Sequence, residues 1–77
     1  MPTLLIQDGF KFFFYANEHL PVHVHVIRGN SYAKINLSDL RVVESFMKSA
    51  ELKRSLEIVA EHRAEFMEEW NGFFNKR

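Results

Sequence analysis

Two histidines separated by a single residue are the most chemically distinctive feature of the sequence. His23 and His25 belong to residues 22–26, in which valine and histidine alternate. A period of two is typical of a β-strand, and it would place both imidazoles on one face, about 6 to 7 Å apart. Imidazoles at this spacing can bind one metal ion, and they can exchange protons near neutral pH.

A metal site would need more than the two strand histidines, because divalent ions normally take three or four ligands. His19 and Glu18 precede the strand and offer further donors. We therefore take His19, His23 and His25 as candidate metal ligands. A further ligand would come from Glu18 or from a second copy of the chain. No cofactor other than such a divalent metal ion is expected.

Acid–base catalysis without a metal is the second interpretation. Lys34 falls opposite His25 if the following segment folds back as a hairpin, and its ammonium could hold a phosphate group. This combination is typical of a metal-independent ribonuclease or another phosphodiesterase. His23, His25 and Lys34 are accordingly the candidate catalytic residues. The third interpretation is that these side chains are simply the solvated face of the sheet, or that the face has a purely structural or partner-binding role.

The first element that must position these residues is a β-hairpin at the start of the chain. Residues 3–7 and 10–15 are rich in strand-forming side chains and flank Asp8-Gly9, a dipeptide suited to a tight turn. Because neighbouring side chains in a strand point to opposite faces, this hairpin carries aromatic rings on both faces. We expect one face to meet a helix and the other to meet a partner.

The histidines lie in a second predicted hairpin, whose turn is Gly29-Asn30. If Arg28 pairs with Ser31, the histidines share a face with Lys34 and Tyr32. The same register collects six apolar residues on the opposite face: Val22, Val24, Val26, Ala33, Ile35 and Leu37.

The remainder of the chain is predicted to be mainly helical. Residues 40–44 are too few to distinguish a short strand from the opening of a helix. From Ser49 onward, apolar residues recur at steps of three and four, as in an amphipathic helix: Leu52, Leu56, Val59, Phe66, Trp70 and Phe73. Arg63 interrupts this stripe, so one long helix and a helix pair both stay open.

These elements together predict an α+β fold. Two hairpins form an antiparallel sheet, to which residues 40–44 could add a fifth short strand. The sheet packs against the long C-terminal helix or helix pair. The helix should cover the valine face, with His62 at the edge of the core, away from His23 and His25. Residues 1–77 are expected to form a single domain, because so short a chain cannot supply two cores.

Composition narrows the classes of function. The 77 residues contain no cysteine, which excludes disulfides and thiolate metal sites and fits a reducing cytoplasm. Ten basic and ten acidic residues cancel, so there is no overall field that would attract nucleic acid or an anionic membrane. The apolar run at the N-terminus is too short for a signal peptide or a membrane span. We therefore expect a cytoplasmic protein.

Several motifs together resemble one family of small prokaryotic proteins. They are Met1-Pro2-Thr3, Phe12-Phe13-Phe14-Tyr15, Glu18-His19, Pro21-x-His23-Val24-His25-Val26, Glu61-His62-Arg63 and Trp70. Over nearly its whole length the chain resembles domain-of-unknown-function family four-one-six-zero. The resemblance implies that a second small protein is encoded beside this one, in an arrangement like a toxin–antitoxin pair. It marks His19, His23, His25 and His62 as motif positions without assigning them roles.

The favoured function is therefore a protein-interaction component of a two-gene, toxin–antitoxin-like module, which binds its partner through the polar face or a free edge of the sheet. A metal-independent ribonuclease or phosphodiesterase that uses the strand histidines is the alternative, and a histidine-ligated metal protein is the third. The expected partners are the protein encoded by the neighbouring gene, further copies of this chain in a homo-oligomer, and RNA in the nuclease case. No membrane is expected.

Overall fold

A computed structural model describes residues 3–15, 18 and 20–74 of the chain. In this part of the chain, five strands precede one helix: β1 (Thr3–Gln7), β2 (Phe10–Phe13), β3 (His23–Arg28), β4 (Ser31–Asn36), β5 (Val42–Ser45) and α1 (Ser49–Phe74). The strands form one antiparallel sheet in the order of the sequence. The predicted α+β fold is confirmed, and the open question about residues 40–44 is resolved in favour of a strand, which covers Val42–Ser45.

Tight turns set the register of both hairpins. At Asp8-Gly9 the two φ angles are 54° and 81°, as the primed turns of two-residue hairpins require. The register between β3 and β4 is the predicted one, from the Arg28–Ser31 pair beside the turn to the His23–Asn36 pair at the other end. Because side chains alternate along a strand, this register decides which side chains of β3 and β4 share a face.

The hydrophobic core lies between the helix and one face of the sheet, which we call the inner face. Val24 and Val26 are fully buried there, as predicted, together with Phe12 of the first hairpin. Burying an aliphatic or aromatic side chain of this size contributes roughly 1.5–3 kcal/mol. The core cluster consists of Phe10, Phe12, Val24, Val26, Ile35, Leu37, Ile58, Val59 and Phe66.

The helix is continuous from Ser49 to Phe74, so the alternative of a helix pair is wrong. Arg63 does not break the helix, because its guanidinium extends beyond the apolar stripe. Its Nη2 donates a hydrogen bond to the carbonyl oxygen of Ser38 at 2.6 Å. Long basic side chains commonly place their charge at the margin of an apolar surface in this way. In the part of the chain that is described, no helix is both long and apolar enough to cross a membrane.

The start of the helix is tied to the turn of the second hairpin by one carboxylate. Glu51 accepts hydrogen bonds from the Ser31 hydroxyl at 2.8 Å and from the Lys48 N–H at 3.2 Å. Its second oxygen accepts from Arg28 at 3.3 Å. A carboxylate in the first turn also interacts favourably with the helix dipole. Glu51 therefore fixes the helix against the β3–β4 hairpin.

Candidate functional site

The two strand histidines lie on the face of the sheet opposite the helix, which we call the outer face. Strand alternation places them there, as predicted, but the interpretation as a solvated face is wrong. His23 is 3% exposed and His25 is 5% exposed. Two residues of the β2–β3 connection, Glu18 and Pro21, lie against the rings and cover them together with aromatic side chains.

Glu18 joins the two imidazoles. One carboxylate oxygen lies 2.9 Å from Nε2 of His23, and the other lies 2.5 Å from Nε2 of His25. The backbone N–H of Tyr15 donates to the same carboxylate at 2.9 Å, which orients it. The ligand atoms of Glu18, His23 and His25 all lie within 4.8 Å of one another. We call these three residues the Glu–His cluster.

The other ring nitrogen of each histidine is also hydrogen-bonded. Nδ1 of His23 lies 2.7 Å from the carbonyl oxygen of Pro21, and Nδ1 of His25 lies 2.9 Å from the Tyr32 hydroxyl. A carbonyl only accepts hydrogen bonds, so Nδ1 of His23 carries a proton. A hydroxyl can donate or accept, so the contact with Tyr32 does not determine which ring nitrogen of His25 carries the proton. The contact with Glu18 determines it. Both rings are thus held in fixed orientations with Nε2 towards one point.

Aromatic side chains pack around the cluster. The His25 ring stacks on Phe13 at 5.4 Å between centroids and on Tyr32 at 6.0 Å. Tyr15 meets the same ring edge-on at 4.8 Å. Trp70, near the C-terminal end of the helix, contacts the His23 ring at 5.2 Å. The helix therefore covers the inner face along its length and also reaches the cluster with its last turns.

This environment shifts the ionisation of the cluster. Burial lowers the pKa of His25, although Glu18 opposes the effect. Burial would raise the pKa of Glu18, but the hydrogen bond from the Tyr15 N–H and the contacts with His25 and His23 outweigh it and hold that pKa below its ordinary value. Burial, with Glu44 nearby, raises the pKa of Tyr32 to about 12. At neutral pH Glu18 is therefore a carboxylate and Tyr32 an intact phenol that can donate to His25.

A cavity of about 300 Å³ opens beside the cluster. Glu18 and His23 form part of its wall, together with Lys34 and Asn36 of the neighbouring strand. The structure thus brings His23 and Lys34 to one cavity, which His25 does not line. The catalytic roles assigned to His23, His25 and Lys34 stay a prediction, since geometry alone places these residues without showing a reaction.

The other two histidines of the motif lie elsewhere. His19 falls outside the described residues, and its role as a metal ligand stays a prediction. His62 lies on the helix, where its Nδ1 is 2.9 Å from Glu65 and its ring stacks on Phe66 of the core at 5.9 Å. As predicted, His62 sits at the margin of the inner-face core and takes no part in the Glu–His cluster.

Sequence reasoning underestimated the connection between β2 and β3. Glu18 was considered only as a supplementary ligand, whereas it is the residue that joins both rings. Tyr15, Pro21 and Trp70 were not assigned to the site at all. The only signal for Glu18 was its position beside His19, five residues before His23. No spacing rule could bring Trp70 to this site, because its contact depends on how the helix lies across the sheet.

Comparison with known proteins agrees with the motif resemblance. A family model described as Domain of unknown function (DUF4160) matches residues 9–71. The match begins in the first turn and extends through the sheet and most of the helix, so it includes the Glu–His cluster. No curated protein and no solved structure shows a significant match. The chain belongs to the DUF4160 family.

Proposed function

We propose that this chain is the protein-interaction component of a two-gene, toxin–antitoxin-like module that operates in the cytoplasm. Its partner is the small protein encoded beside it, and the outer face of the sheet is the surface that binds this partner. The proposal rests on one observation, the concentration of exposed apolar side chains on the outer face. Contiguous apolar area on a soluble protein commonly marks an interaction site.

Five of the six large apolar side chains that the described residues expose belong to the outer face and its margins. Ile6 in β1 and Phe46, which directly follows β5, are each 70% exposed. The register with Lys11 assigns Ile6 to this face, and the contact with Tyr32 assigns Phe46 to it. The five are Ile6, Tyr15, Leu20, Val43 and Phe46.

Two of these side chains, Ile6 and Phe46, lie at the ends of a row that crosses the whole sheet and is apolar except at Lys11, and we call it the apolar row. Ile6 pairs with Lys11, Lys11 pairs with Ile27, and Ile27 pairs with Tyr32. The Phe46 ring then stacks on Tyr32 at 6.4 Å between centroids. Side chains at directly paired positions of neighbouring strands touch one another. The row therefore offers a band from β1 to the end of β5, on the face that the helix leaves uncovered.

The basic side chains on this face indicate which charges the surface of the partner should carry. Among the described residues, neither Lys11 nor Lys34 forms an ion pair, although both lie on the outer face. A protein surface with an apolar centre and carboxylates at its rim would complement them. Because the formal charge of the chain is zero, a protein partner is favoured over nucleic acid.

Co-expression with the neighbouring gene tests the proposal. We expect the two proteins to co-purify, and we expect Ile6→Ser and Phe46→Ser each to weaken binding at least about fivefold, since truncation of an apolar contact that is important for binding costs about 1 kcal/mol or more. Phe73→Ser is the matched control, because Phe73 is the sixth exposed apolar side chain and packs on Phe14 at the end of the helix. Growth of the host with and without the partner is recorded in parallel.

Two outcomes would contradict the interaction role. One is a wild-type chain that folds but does not co-purify with the neighbouring protein. The other is a complex that both outer-face variants leave intact while Phe73→Ser disrupts it. In the second case binding occurs, but the outer face is not the surface that is used.

A metal-independent phosphodiesterase is the second candidate, and the observation that favours it is the cavity shared by His23 and Lys34. In this case Lys34→Ala should abolish RNA cleavage with little effect on folding, since Lys34 is only partly buried. Unchanged cleavage and unchanged toxicity in His25→Ala would eliminate this candidate. Asn30→Ala, in the exposed turn of the same hairpin, is the control.

A further inference from the structure

We infer that the Glu–His cluster is a binding site for a divalent first-row transition metal ion, and that Zn²⁺ fits it best. Glu18, His23 and His25 supply one oxygen and two nitrogen donors, a set typical of zinc and non-haem iron sites with an open coordination position. This inference does not depend on the interaction role, since it concerns the chain alone.

The hydrogen bonds of His23 supply the first argument. Its Nδ1 donates to the Pro21 carbonyl, so in the neutral ring Nε2 is an unprotonated lone pair. This lone pair faces a carboxylate oxygen of Glu18 at 2.9 Å. Two acceptors at hydrogen-bonding distance repel each other unless a cation lies between them. A proton or a metal ion can fill this place.

The convergence of three donors favours a metal ion over a single proton. Each carboxylate oxygen of Glu18 faces a different Nε2, so a single proton can bridge only one of the two contacts, whereas one metal ion can bind all three side chains. Ligand bonds to zinc measure about 2.0 to 2.2 Å, so two ligands of one ion lie at most about 4.4 Å apart. The three ligand atoms already lie within 4.8 Å of one another. Small rotations of the side chains are enough to bring all three onto one ion.

The surroundings of the cluster match those of a metal site. Histidines that bind metal usually hold their second ring nitrogen on a carbonyl, carboxylate or other polar group, which fixes the ring. Here the Pro21 carbonyl and the Tyr32 hydroxyl occupy those positions. The rings are buried among Phe13, Trp70 and Tyr15 as well. Little conformational entropy therefore remains to be lost when an ion binds.

The chemistry of the donors selects the class of ion. Two imidazole nitrogens favour zinc and its first-row neighbours over calcium and magnesium, which prefer oxygen ligands. Three protein ligands leave a fourth position, and the cavity bounded by Glu18 and His23 adjoins the cluster. Lys34 lies in the wall of the same cavity, so a water molecule or an anion is the ligand expected there. This is the arrangement of a catalytic zinc site, whereas structural sites have four protein ligands.

Calorimetric titration of the tag-free, metal-stripped chain with Zn²⁺ tests the inference. We expect one Zn²⁺ per chain and a rise in melting temperature with Zn²⁺ concentration. Glu18→Gln and His25→Gln should each lower the affinity at least about 100-fold, because even outer-shell changes cost 10- to 100-fold. Tyr32→Phe, which removes only the hydroxyl that holds His25, should lower it by roughly tenfold. His62→Gln is the matched control and should bind like the wild type.

Circular dichroism of each variant separates loss of a ligand from loss of the fold. Glu18→Gln is the decisive variant if His25→Gln does not fold, because glutamine keeps the shape of the side chain and can still hydrogen-bond to the rings. Titration with Co²⁺ provides a second readout, since its visible absorption reports a tetrahedral nitrogen and oxygen environment. Absence of stoichiometric Zn²⁺ binding by the folded wild type would overturn the inference. So would full affinity in Glu18→Gln, or loss of affinity in His62→Gln alone.

Discussion

At the scale of single residues, Glu18 satisfies two buried imidazoles at once. Its carboxylate contacts Nε2 of both His23 and His25, and each ring is almost completely removed from water. A buried polar atom without a partner costs free energy comparable to a lost hydrogen bond or more. Glu18 is therefore important for the stability of the outer face whether or not a metal ion is bound.

Replacement of this carboxylate should destabilise the metal-free protein. We expect Glu18→Ala to lower the free energy of unfolding by about 1–3 kcal/mol, because it removes the polar partner that both buried rings contact through Nε2. Urea denaturation in the presence of a chelator measures this change.

Glu57→Ala is the control for that measurement. Its carboxylate is exposed and pairs with Arg54 on the helix surface, so its loss should change stability by less than about 0.5 kcal/mol. Equal effects of the two substitutions would show that the contacts of Glu18 contribute no more than a surface ion pair.

A buried aliphatic residue should behave differently from one on the outer face. We expect Ile58→Ala to cost about 2–5 kcal/mol, since Ile58 is fully buried in the core cluster and its truncation leaves a cavity. Val43→Ala, on β5, should cost less than about 0.5 kcal/mol, because Val43 is half exposed. Denaturant unfolding of both variants provides the comparison. A large loss of stability in Val43→Ala would indicate that the outer face is needed for folding.

At the scale of secondary-structure elements, Glu51 joins the helix to the second hairpin. The hydrogen bonds from Ser31, from the Lys48 N–H and from Arg28 hold the pKa of Glu51 below its ordinary value. A carboxyl group whose pKa is lowered by folding stabilises the folded state while it is ionised. Its contribution is therefore present above the ordinary pKa of 4.5 and is lost as the pH falls through the lower folded value.

The stability difference between the wild type and Glu51→Gln should accordingly depend on pH. We expect the wild type to be more stable at pH 7 and the difference to shrink when the pH is lowered to about 3. Urea melts at the two pH values measure it. Glu68→Gln, an exposed substitution on the same helix, should show no such trend. A difference that is equal at both pH values would mean that the charge of Glu51 is not what stabilises the junction.

At the scale of the whole molecule, the two faces of the sheet have different structural roles. The inner face packs against the helix and contains the main core. The outer face has no helix over it and carries the apolar row and, beneath the β2–β3 connection, the Glu–His cluster. Leu20 and Val43 are exposed apolar residues of the outer face and its margins, and they also line the cavity beside the cluster. A partner seated on the outer face would therefore lie over this cavity.

An uncovered apolar face should also lead to self-association when the partner is absent. We expect the chain alone to form oligomers as its concentration rises, and Phe46→Ser to shift the equilibrium towards the monomer, because Phe46 is 70% exposed. Sedimentation velocity over a range of concentrations measures this. The same sedimentation behaviour in the wild type and the variant would show that copies of the chain do not meet through the outer face.

The sequence by itself determined the sheet and the helix, because both depend on local patterns. Gly29-Asn30 and the alternation of valine and histidine predict the register of β3 and β4 to the residue, since a shift by one position would move the valines out of the core. The apolar stripe from Leu52 to Trp70 predicts the helix in the same way. Arg63 was misleading as a sign of a break, because its charged end reaches Ser38 beyond the stripe.

The tertiary structure alone decided what surrounds the histidines. Alternation places His23 and His25 on one face but does not determine whether that face is exposed to solvent. Their burial depends on the path of the β2–β3 connection, which brings Glu18 over the rings, and on the helix, whose Trp70 reaches His23 from the far end of the chain. Irregular segments follow no period, and contacts between distant elements depend on packing. A site assembled from such contacts becomes visible only when the chain is folded.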